Sequence, residues 1–234
     1  MKTLPENHLV AIVGGSGAGK GWLAERLGRL LGEQSCQLSL DNFYLDHSSV
    51  APDRRERLNY DSPHAIDWNR AEQTLRDCKA GRTTQVPQYD FATHRRLPAA
   101  TRWQPRPLVL VEGLSLLVRA PVRELFDLKI YLDCPPELRL CRRLTRDVAE
   151  RGRTSAAVKR QFRTTVAPMH DRYVEPQQQW ADVILAQPFR KADVLRLASR
   201  LWTLLTGAAP LQAWMRVPFH HELLTLLECH DHHA

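Results

Sequence analysis

Residues 9–20 read LVAIVGGSGAGK. Five apolar residues come first, a loop with four glycines follows, and the stretch ends at a lysine. The apolar run predicts a buried strand, and the pattern from Lys20 to Leu31 predicts a helix. Glycines let such a loop turn its backbone N–H groups towards an anion, and the start of a helix adds positive potential. The stretch therefore predicts a phosphate-binding P-loop, in which Lys20 reaches the β- and γ-phosphates of a nucleotide. The residues assigned to it are Gly14, Gly15, Ser16, Gly17, Ala18, Gly19, Lys20 and Gly21.

Two other interpretations of this loop exist. The glycines would also suit a plain turn between a strand and a helix, and residues 19–24 match the loose G-x-G-x-x-A pattern of a dinucleotide site. That pattern begins too late, because a dinucleotide fingerprint starts where the strand ends. The residue after the lysine departs from the usual P-loop, since a serine or threonine there would place a hydroxyl on Mg²⁺ and this chain has Gly21. Direct binding of the metal by the loop is therefore lost.

Strand and helix patterns alternate along the rest of the chain. Short apolar runs predict strands at 9–13, 36–40, 108–111, 128–132 and 183–186. Helical periodicity predicts helices at 20–31, 65–78, 136–150, 155–173 and 191–205. This alternation predicts an α/β fold, a P-loop NTPase three-layer sandwich with a central parallel sheet, plus a small β-hairpin or lid region. In such folds, ligands bind at the carboxyl ends of the strands.

The charge, the cysteines and the lack of long apolar runs indicate what kind of protein this is. Of 234 residues, 33 are lysine or arginine and 26 are aspartate or glutamate, and the net charge of +7 favours a polyanionic partner such as nucleic acid or nucleotide phosphates. Five cysteines without a C-x-x-C pair argue against a disulfide framework and a zinc ribbon. The sequence has neither a signal-peptide pattern nor a run of about 18 apolar residues, which predicts a cytoplasmic protein that does not span a membrane. The histidine-rich end, 229–233, is expected to be a frayed terminus and not a metal site.

Two acidic residues follow predicted strands at the edge of the sheet where the P-loop lies. Asp41 follows the run that ends at Leu40, and Glu112 follows the run 108–111. In phosphoryl transfer to an alcohol, an aspartate near the γ-phosphate accepts the hydroxyl proton, and a second carboxylate holds Mg²⁺ directly or through water. A turn or helix-capping aspartate is the structural alternative for Asp41, and a carboxylate bonded to backbone N–H groups is the alternative for Glu112.

The predicted helix at 136–150 carries two different faces. At 100° per residue, one face holds Arg139, Arg142, Arg143 and Arg146, and the opposite face holds Leu140, Cys141, Leu144 and Val148. We expect the apolar face to be buried. The arginine face, extended by Arg151 and Arg153, is expected to form an electrostatic lid over a triphosphate. A solvated face with Asp147 and Glu150 as counterions is the alternative.

Five segments together resemble the uridine/cytidine kinase branch of the phosphoribulokinase/uridine kinase family. Asp41–Tyr44 is similar to that family's D-S-F-Y, Asn59–Pro63 to N-F-D-H-P, and Pro87–His94 to P-x-Y-D-F-x-x-H. Residues 142–153 resemble R-R-x-x-R-D followed by E-R-G-R, and residues 180–184 resemble Y-A-D-V-I. The likeness extends over residues 10–186. Residues 187–190 depart from it, because they replace a turn containing arginine and glycine near the adenine.

The resemblance implies a P-loop kinase that transfers the γ-phosphate of ATP or GTP to the 5′-hydroxyl of a pyrimidine nucleoside, uridine or cytidine. It implies that Asp41 is the general base and that Mg²⁺ is held near Asp41 and Glu112. Lys20, Arg146 and Arg151 would act on the donor phosphates. The residues that would hold the nucleoside are Asp61, Tyr89, Phe91, His94, Arg143, Arg153 and Gln161.

The residue patterns and the resemblance together predict the organisation of the chain. Residues 1–206 would form the kinase domain, with a substrate hairpin or lid at about 81–107 and an arginine-rich lid at about 139–153, and residues 207–234 would form a helical tail. We expect a homo-oligomer, either a tetramer or a dimer, that binds neither nucleic acid nor membranes. Two other functions stay open: a related kinase that acts on another small alcohol, and a catalytically weak regulatory protein that binds nucleotide or nucleoside.

Overall fold

A computed structural model describes residues 7–55, 58–91 and 93–207. The internal contacts divide the chain into two compact units, residues 1–188 and 189–234. The helical tail predicted for residues 207–234 lies outside the described residues except for Gly207, and the histidine-rich end lies outside them as well. The domain boundary at residue 206 stays a prediction.

The described strands and helices alternate as the sequence predicts. In chain order, the strands are β1 His8–Gly14, β2 Ser35–Ser39, β3 Thr84–Val86, β4 Tyr89–Asp90, β5 Arg95–Arg96, β6 Thr101–Trp103, β7 Leu108–Gly113, β8 Leu128–Asp133 and β9 Val183–Ala186. The helices are α1 Lys20–Leu31, α2 Pro52–Arg55, α3 Trp68–Lys79, α4 Ala120–Arg123, α5 Pro136–Arg151, α6 Ser155–Gln161, α7 Ala167–Met169 and α8 Lys191–Thr206. The last of these belongs to the second unit. All five strands predicted from apolar runs are present, with ends that differ by at most two residues.

Five of the strands form one parallel sheet in the order β2-β7-β1-β8-β9. The two central strands are apolar and fully covered, since residues 9–13 of β1 and 108–110 of β7 are all 0% exposed. Glu112 of β7 lies in register with Ile12 of β1 and with Ser39 of β2. The segments that follow these three strands therefore meet at one edge of the sheet. The predicted α/β fold with a central parallel sheet is confirmed.

The hairpin region contains two antiparallel pairs of short strands. Strand β3 pairs with β6, and β4 pairs with β5 inside it. Phe91 and His94 of the predicted nucleoside-binding motif lie between β4 and β5. None of the described helices is both long enough and apolar enough to cross a membrane.

The helix predicted for residues 155–173 is present as one uninterrupted helical run, but it is not a regular α-helix throughout. Helix α6 ends at Gln161 and continues as two π-helical segments, Phe162–Val166 and His170–Val174, which flank the short helix α7. Pro168 lies in α7. Proline has no N–H to donate and its ring crowds the preceding turn, so an ordinary α-helical ladder cannot run through it and wider turns take its place.

The prediction about the faces of α5 is also wrong. Arg139, Arg143 and Asp147 are buried, whereas Val148 is 42% exposed and Cys141 is exposed. The helix turns its arginine face inwards because that face contacts the P-loop and meets an internal counterion, Asp147. These contacts, described below, replace the apolar contacts that helical periodicity assumes.

Candidate active site

A cavity of about 440 Å³ opens at the carboxyl ends of β1, β2 and β7. Apart from Gly14, Gly15, Ala18 and Arg139 of the expected arginine lid, every residue predicted for the site lines it. The structure therefore gathers the phosphate loop, both acids, the hairpin and the arginines around one space. Arg142 of the predicted arginine face also lines it, and four further lining residues were missed by the sequence analysis: Trp22, Tyr44, Tyr60 and Leu114.

The P-loop connects β1 to α1 in a conformation that requires glycine. Gly17 and Gly19 have φ angles of +86° and +83°, which residues with a side chain rarely adopt. A Cβ atom at Gly17 would also lie 2.5 Å from the carbonyl oxygen of Arg139. The Lys20 ammonium donates a hydrogen bond of 3.1 Å to the carbonyl oxygen of Gly15. The lysine side chain is thus folded back over the loop, as a phosphate-binding lysine must be.

Two polar side chains hold the outer side of this loop. Arg142 donates to the carbonyl oxygen of Gly17 at 3.4 Å and to Gln187 Oε1 at 3.2 Å. Gln187 Nε2 in turn donates to the carbonyl oxygen of Ala18 at 3.0 Å. Gln187 stands where the sequence departs from the resembling kinases, so in this chain the departing segment contributes a contact to the P-loop.

The two acids and the lysine form one cluster of half-buried side chains that line the cavity. The Ser39 hydroxyl donates to Glu112 Oε1 at 2.5 Å and accepts from the backbone N–H of Asp41 at 3.3 Å, which ties together the ends of β2 and β7. Burial raises the pKa of Asp41, and the nearby charge of Lys20 opposes this shift. Burial and the charge of Asp41 raise the pKa of Glu112. Burial lowers the pKa of Lys20, against the effect of both acids.

Asp61 completes this set of acids. Burial raises its pKa as well, and Arg143 acts in the opposite direction. Among the residues that the structure describes, no group of three or more histidines, cysteines, aspartates or glutamates is arranged to hold a metal ion. A cation at Asp41 and Glu112 would therefore draw its other ligands from elsewhere, such as phosphate and water oxygens.

Aromatic rings line the side of the cavity that the hairpin forms. Tyr60 and His94 are stacked with ring centroids 4.5 Å apart, and Tyr89 meets Phe91 edge-on at 5.4 Å. His94 has a φ angle of +52°, a strained value for a residue with a side chain, and such strain tends to occur at functional sites. Phe91 is 43% exposed, so a face of this ring is available to a ligand. This wall fits a flat apolar group with polar edges.

The arginines are linked to one another through two shared partners. Gln161 Oε1 accepts from Arg143 at 3.1 Å and from Arg153 at 2.8 Å. The Asp147 carboxylate, which is 0% exposed, forms ion pairs with Arg146 at 2.8 Å, Arg143 at 3.5 Å and Arg151 at 3.5 Å. The sequence analysis considered Asp147 only as a surface counterion. Its i, i+4 spacing to two of the arginines could have indicated these ion pairs.

The family model described as "Phosphoribulokinase / Uridine kinase family" matches residues 9–194. The chain belongs to this family. It is therefore an ATP-dependent kinase that transfers a phosphoryl group to an alcohol. A uridine kinase of Clostridium perfringens (strain SM101 / Type A) is 38% identical over 179 residues, which are 76% of this chain and 86% of the relative. A uridine kinase of Staphylococcus aureus (strain JH9) is 38% identical over 180 residues, covering 76% and 87%.

Solved structures show the same fold. The phosphoribulokinase from Rhodobacter spheroides superposes with a TM-score of 0.59 at 19% identity, covering 78% of this chain and 71% of that one. A possible uridine kinase from Bacillus stearothermophilus gives a TM-score of 0.54 at 22% identity, covering 79% and 91%.

Proposed function

We propose that this kinase is a pyrimidine nucleoside kinase, which transfers the γ-phosphate of ATP or GTP to the 5′-hydroxyl of uridine or cytidine. The observation that carries the proposal is that Tyr89, Phe91 and His94 line the same cavity as Lys20 and Asp41. A kinase for a sugar phosphate or a small acid has no use for an aromatic wall beside its phosphate site. The likeness to uridine kinases over three quarters of the chain supports the same acceptor.

On the donor side, the P-loop and three cationic side chains would hold the phosphates. Backbone N–H groups at the start of α1 and the Lys20 ammonium offer positive charge at the loop. Arg146 and Arg151, whose side chains are 35% and 38% exposed, line the same cavity. Their ion pairs with Asp147 would hold the two guanidinium groups in position before the phosphates bind. This would lower the entropy cost of ordering these side chains on binding.

On the acceptor side, Asp41 would take the proton of the attacking 5′-hydroxyl. Burial raises its pKa, which makes the carboxylate a better proton acceptor, while Lys20 keeps it from being too readily protonated. Asp61 would accept hydrogen bonds from the ribose hydroxyls, and Arg143 and Gln161 would fix the sugar from the other side. Tyr89 and His94 would read the edge of the base while Phe91 stacks on it.

Magnesium fits the two acids at the sheet edge. Asp41 and Glu112 both line the cavity, and the pKa of Glu112 is raised first by burial and then by the negative charge of Asp41, which a bound cation would offset. These two residues would hold the ion, and when bound it would supply neutralising charge for the phosphates. Gly21 offers no oxygen to it, so the carboxylates carry the protein's share of the coordination.

The proposal is tested by ADP or GDP release with uridine, cytidine, adenosine and a non-nucleoside sugar alcohol as acceptors. We expect release with the pyrimidine nucleosides and much less with adenosine or the sugar alcohol. Release of ADP or GDP with the sugar alcohol as the only active acceptor would favour a related metabolic kinase. The glycine at position 21 favours a second candidate function, a weak regulatory nucleotide binder. Nucleotide binding without release of ADP or GDP in the presence of any acceptor would support that function. The proposed homo-oligomer is tested by light scattering of the same preparation.

A further inference from the structure

Arg139, in the first turn of α5, lies directly against the outer side of the P-loop. A Cβ atom at Gly15 would be 2.7 Å from Arg139 Nη1, and one at Gly17 would be 2.5 Å from the Arg139 carbonyl oxygen. Loop residues Ser16, Gly17 and Gly19 line the cavity, and Arg139 does not. The backbone of the loop therefore separates this guanidinium from the space where phosphates would bind.

Among the described residues, no carboxylate forms an ion pair with Arg139; Asp171 and Glu175 act on its charge only from beyond ion-pair distance. The side chain is buried, with the residue 3% exposed, and its Nε donates to the carbonyl oxygen of Cys134 at 3.2 Å. Its Nη1 makes no hydrogen bond, and no acid in the described part of the chain lies within 4.0 Å. The ring of Phe162, 5.6 Å from the guanidinium carbon, offers only a cation–π contact. Arg143, Arg146 and Arg151, by contrast, share Asp147.

The neighbouring histidine does not supply the missing negative charge. His170 Nδ1 lies 2.9 Å from the same point at Gly15 and makes no hydrogen bond. Burial and the charge of Arg139 lower the pKa of His170 to about 4, so its ring is neutral near pH 7. An unpaired buried charge is costly for a folded protein, and such a charge is usually retained where a ligand of opposite charge compensates it.

We propose that Arg139 is a positioning residue of the donor site, whose charge acts through the loop backbone and is compensated by the phosphates of the donor. In the free protein the guanidinium attracts anions to the loop and packs against Gly15, while the backbone of Arg139 packs against Gly17. The proposal rests on the donor half of the proposed function and is independent of which alcohol accepts the phosphate.

The test measures inorganic tripolyphosphate binding by calorimetry to the full chain without nucleoside, for the parent, Arg139→Met and Arg163→Met. Methionine keeps an unbranched chain against Phe162 and removes the charge. Arg163 is exposed in the π-helical segment that follows α6, so its variant loses the same unit of charge without touching the loop. We expect Arg139→Met to bind tripolyphosphate at least about tenfold more weakly than Arg163→Met, because a charge this close acts through a medium of low effective dielectric constant.

Thermal unfolding of the same proteins separates electrostatic from structural effects. Without anion, Arg139→Met should melt at the parent's temperature or above it, because an unpaired buried charge has been removed, and added tripolyphosphate should raise its melting temperature less than it raises the parent's. Arg139→Lys, which keeps the charge, should retain most of the affinity. A lower melting temperature with unchanged tripolyphosphate affinity, or an equal loss of affinity in Arg139→Lys, would overturn the proposal. Binding of tripolyphosphate by a parent that does not phosphorylate any nucleoside would contradict the acceptor assignment and leave this proposal standing.

Discussion

Asp147 offers a direct test of how the arginines of α5 are organised. Its carboxylate is fully buried and is shared by Arg143, Arg146 and Arg151 at 2.8 to 3.5 Å. Replacing it in Asp147→Asn keeps the shape of the side chain and leaves three positive charges without their common counterion. Removing one partner of a buried ion pair typically costs about 3–5 kcal/mol of the free energy of unfolding.

The exposure of the three arginines decides where in this range the loss should fall. Arg146 and Arg151 have side chains that are 35% and 38% exposed, so water screens them once the carboxylate is gone. Arg143, at 6%, loses its ion-pair partner in the interior and keeps only the longer-range attraction of Asp61. One buried pair is therefore broken in full, and we expect a loss near the lower end, about 3 kcal/mol. For a chain of this size, that lowers the melting temperature by about 6–12 °C.

The assay is urea denaturation followed by circular dichroism, with Glu150→Gln as the control. Glu150 is an exposed acid on the same helix, so its variant loses the same charge and should change the free energy of unfolding by less than about 0.5 kcal/mol. If Asp147→Asn unfolds at the same urea concentration as Glu150→Gln, then the carboxylate does not hold the arginines, and the interpretation of the buried face of α5 is refuted.

The other predictions concern the acid cluster, the loop and pH. Asp41→Asn should keep nucleoside affinity but lower kcat by about 10² or more, as loss of a general base does, and calorimetry beside steady-state rates checks both quantities. A Cβ atom at Gly21 would have no neighbour within 4 Å, so Gly21→Ser should fit and should lower the half-saturating Mg²⁺ concentration or raise kcat; no change in either would mean that the loop does not need a hydroxyl ligand. Because folding lowers the pKa of His170 from 6.5 to about 4, its contribution to stability is present above pH 6.5 and is lost as the pH falls towards 4; melting temperatures measured across this range should therefore fall less steeply in His170→Gln than in the parent.

The sequence predicted the sheet and the composition of the cavity because both depend on local patterns. Apolar runs such as 9–13 and 108–111 are long enough to identify covered strands, and parallel topology then brings the residues after them to one edge. Tyr44 and Tyr60 were missed because they reach the cavity through packing between loops: the Tyr44 hydroxyl donates to the carbonyl oxygen of Tyr60 at 3.1 Å. The hydrophobic periodicity of the sequence does not indicate a contact between two loops.

The irregular helix after Ser155 and the wrong prediction for the faces of α5 share a cause, which is that periodicity assumes regular helices with apolar inner faces. Pro168 prevents a regular ladder between Ser155 and Tyr173, although the apolar spacing continues through it. In α5 the inner face is polar because Asp147 and the P-loop backbone provide partners for buried arginines. Which face of an arginine-rich helix is buried depends on these long-range partners, and the sequence of the helix alone does not contain them.

The central claim is that the aromatic wall of the hairpin binds the acceptor of a kinase whose donor site is the P-loop. It is tested most directly by the KM for uridine in Phe91→Ala, measured beside Leu97→Ala. Both residues lie in the hairpin region and are equally exposed, at 43% and 42%, but only Phe91 lines the cavity. We expect the KM for uridine to rise about tenfold or more in Phe91→Ala, with ATP hydrolysis in the absence of nucleoside unchanged, and neither quantity to change in Leu97→Ala. An equal KM in the two variants, or an equal loss of uridine-dependent and uridine-independent turnover in Phe91→Ala, would contradict the account.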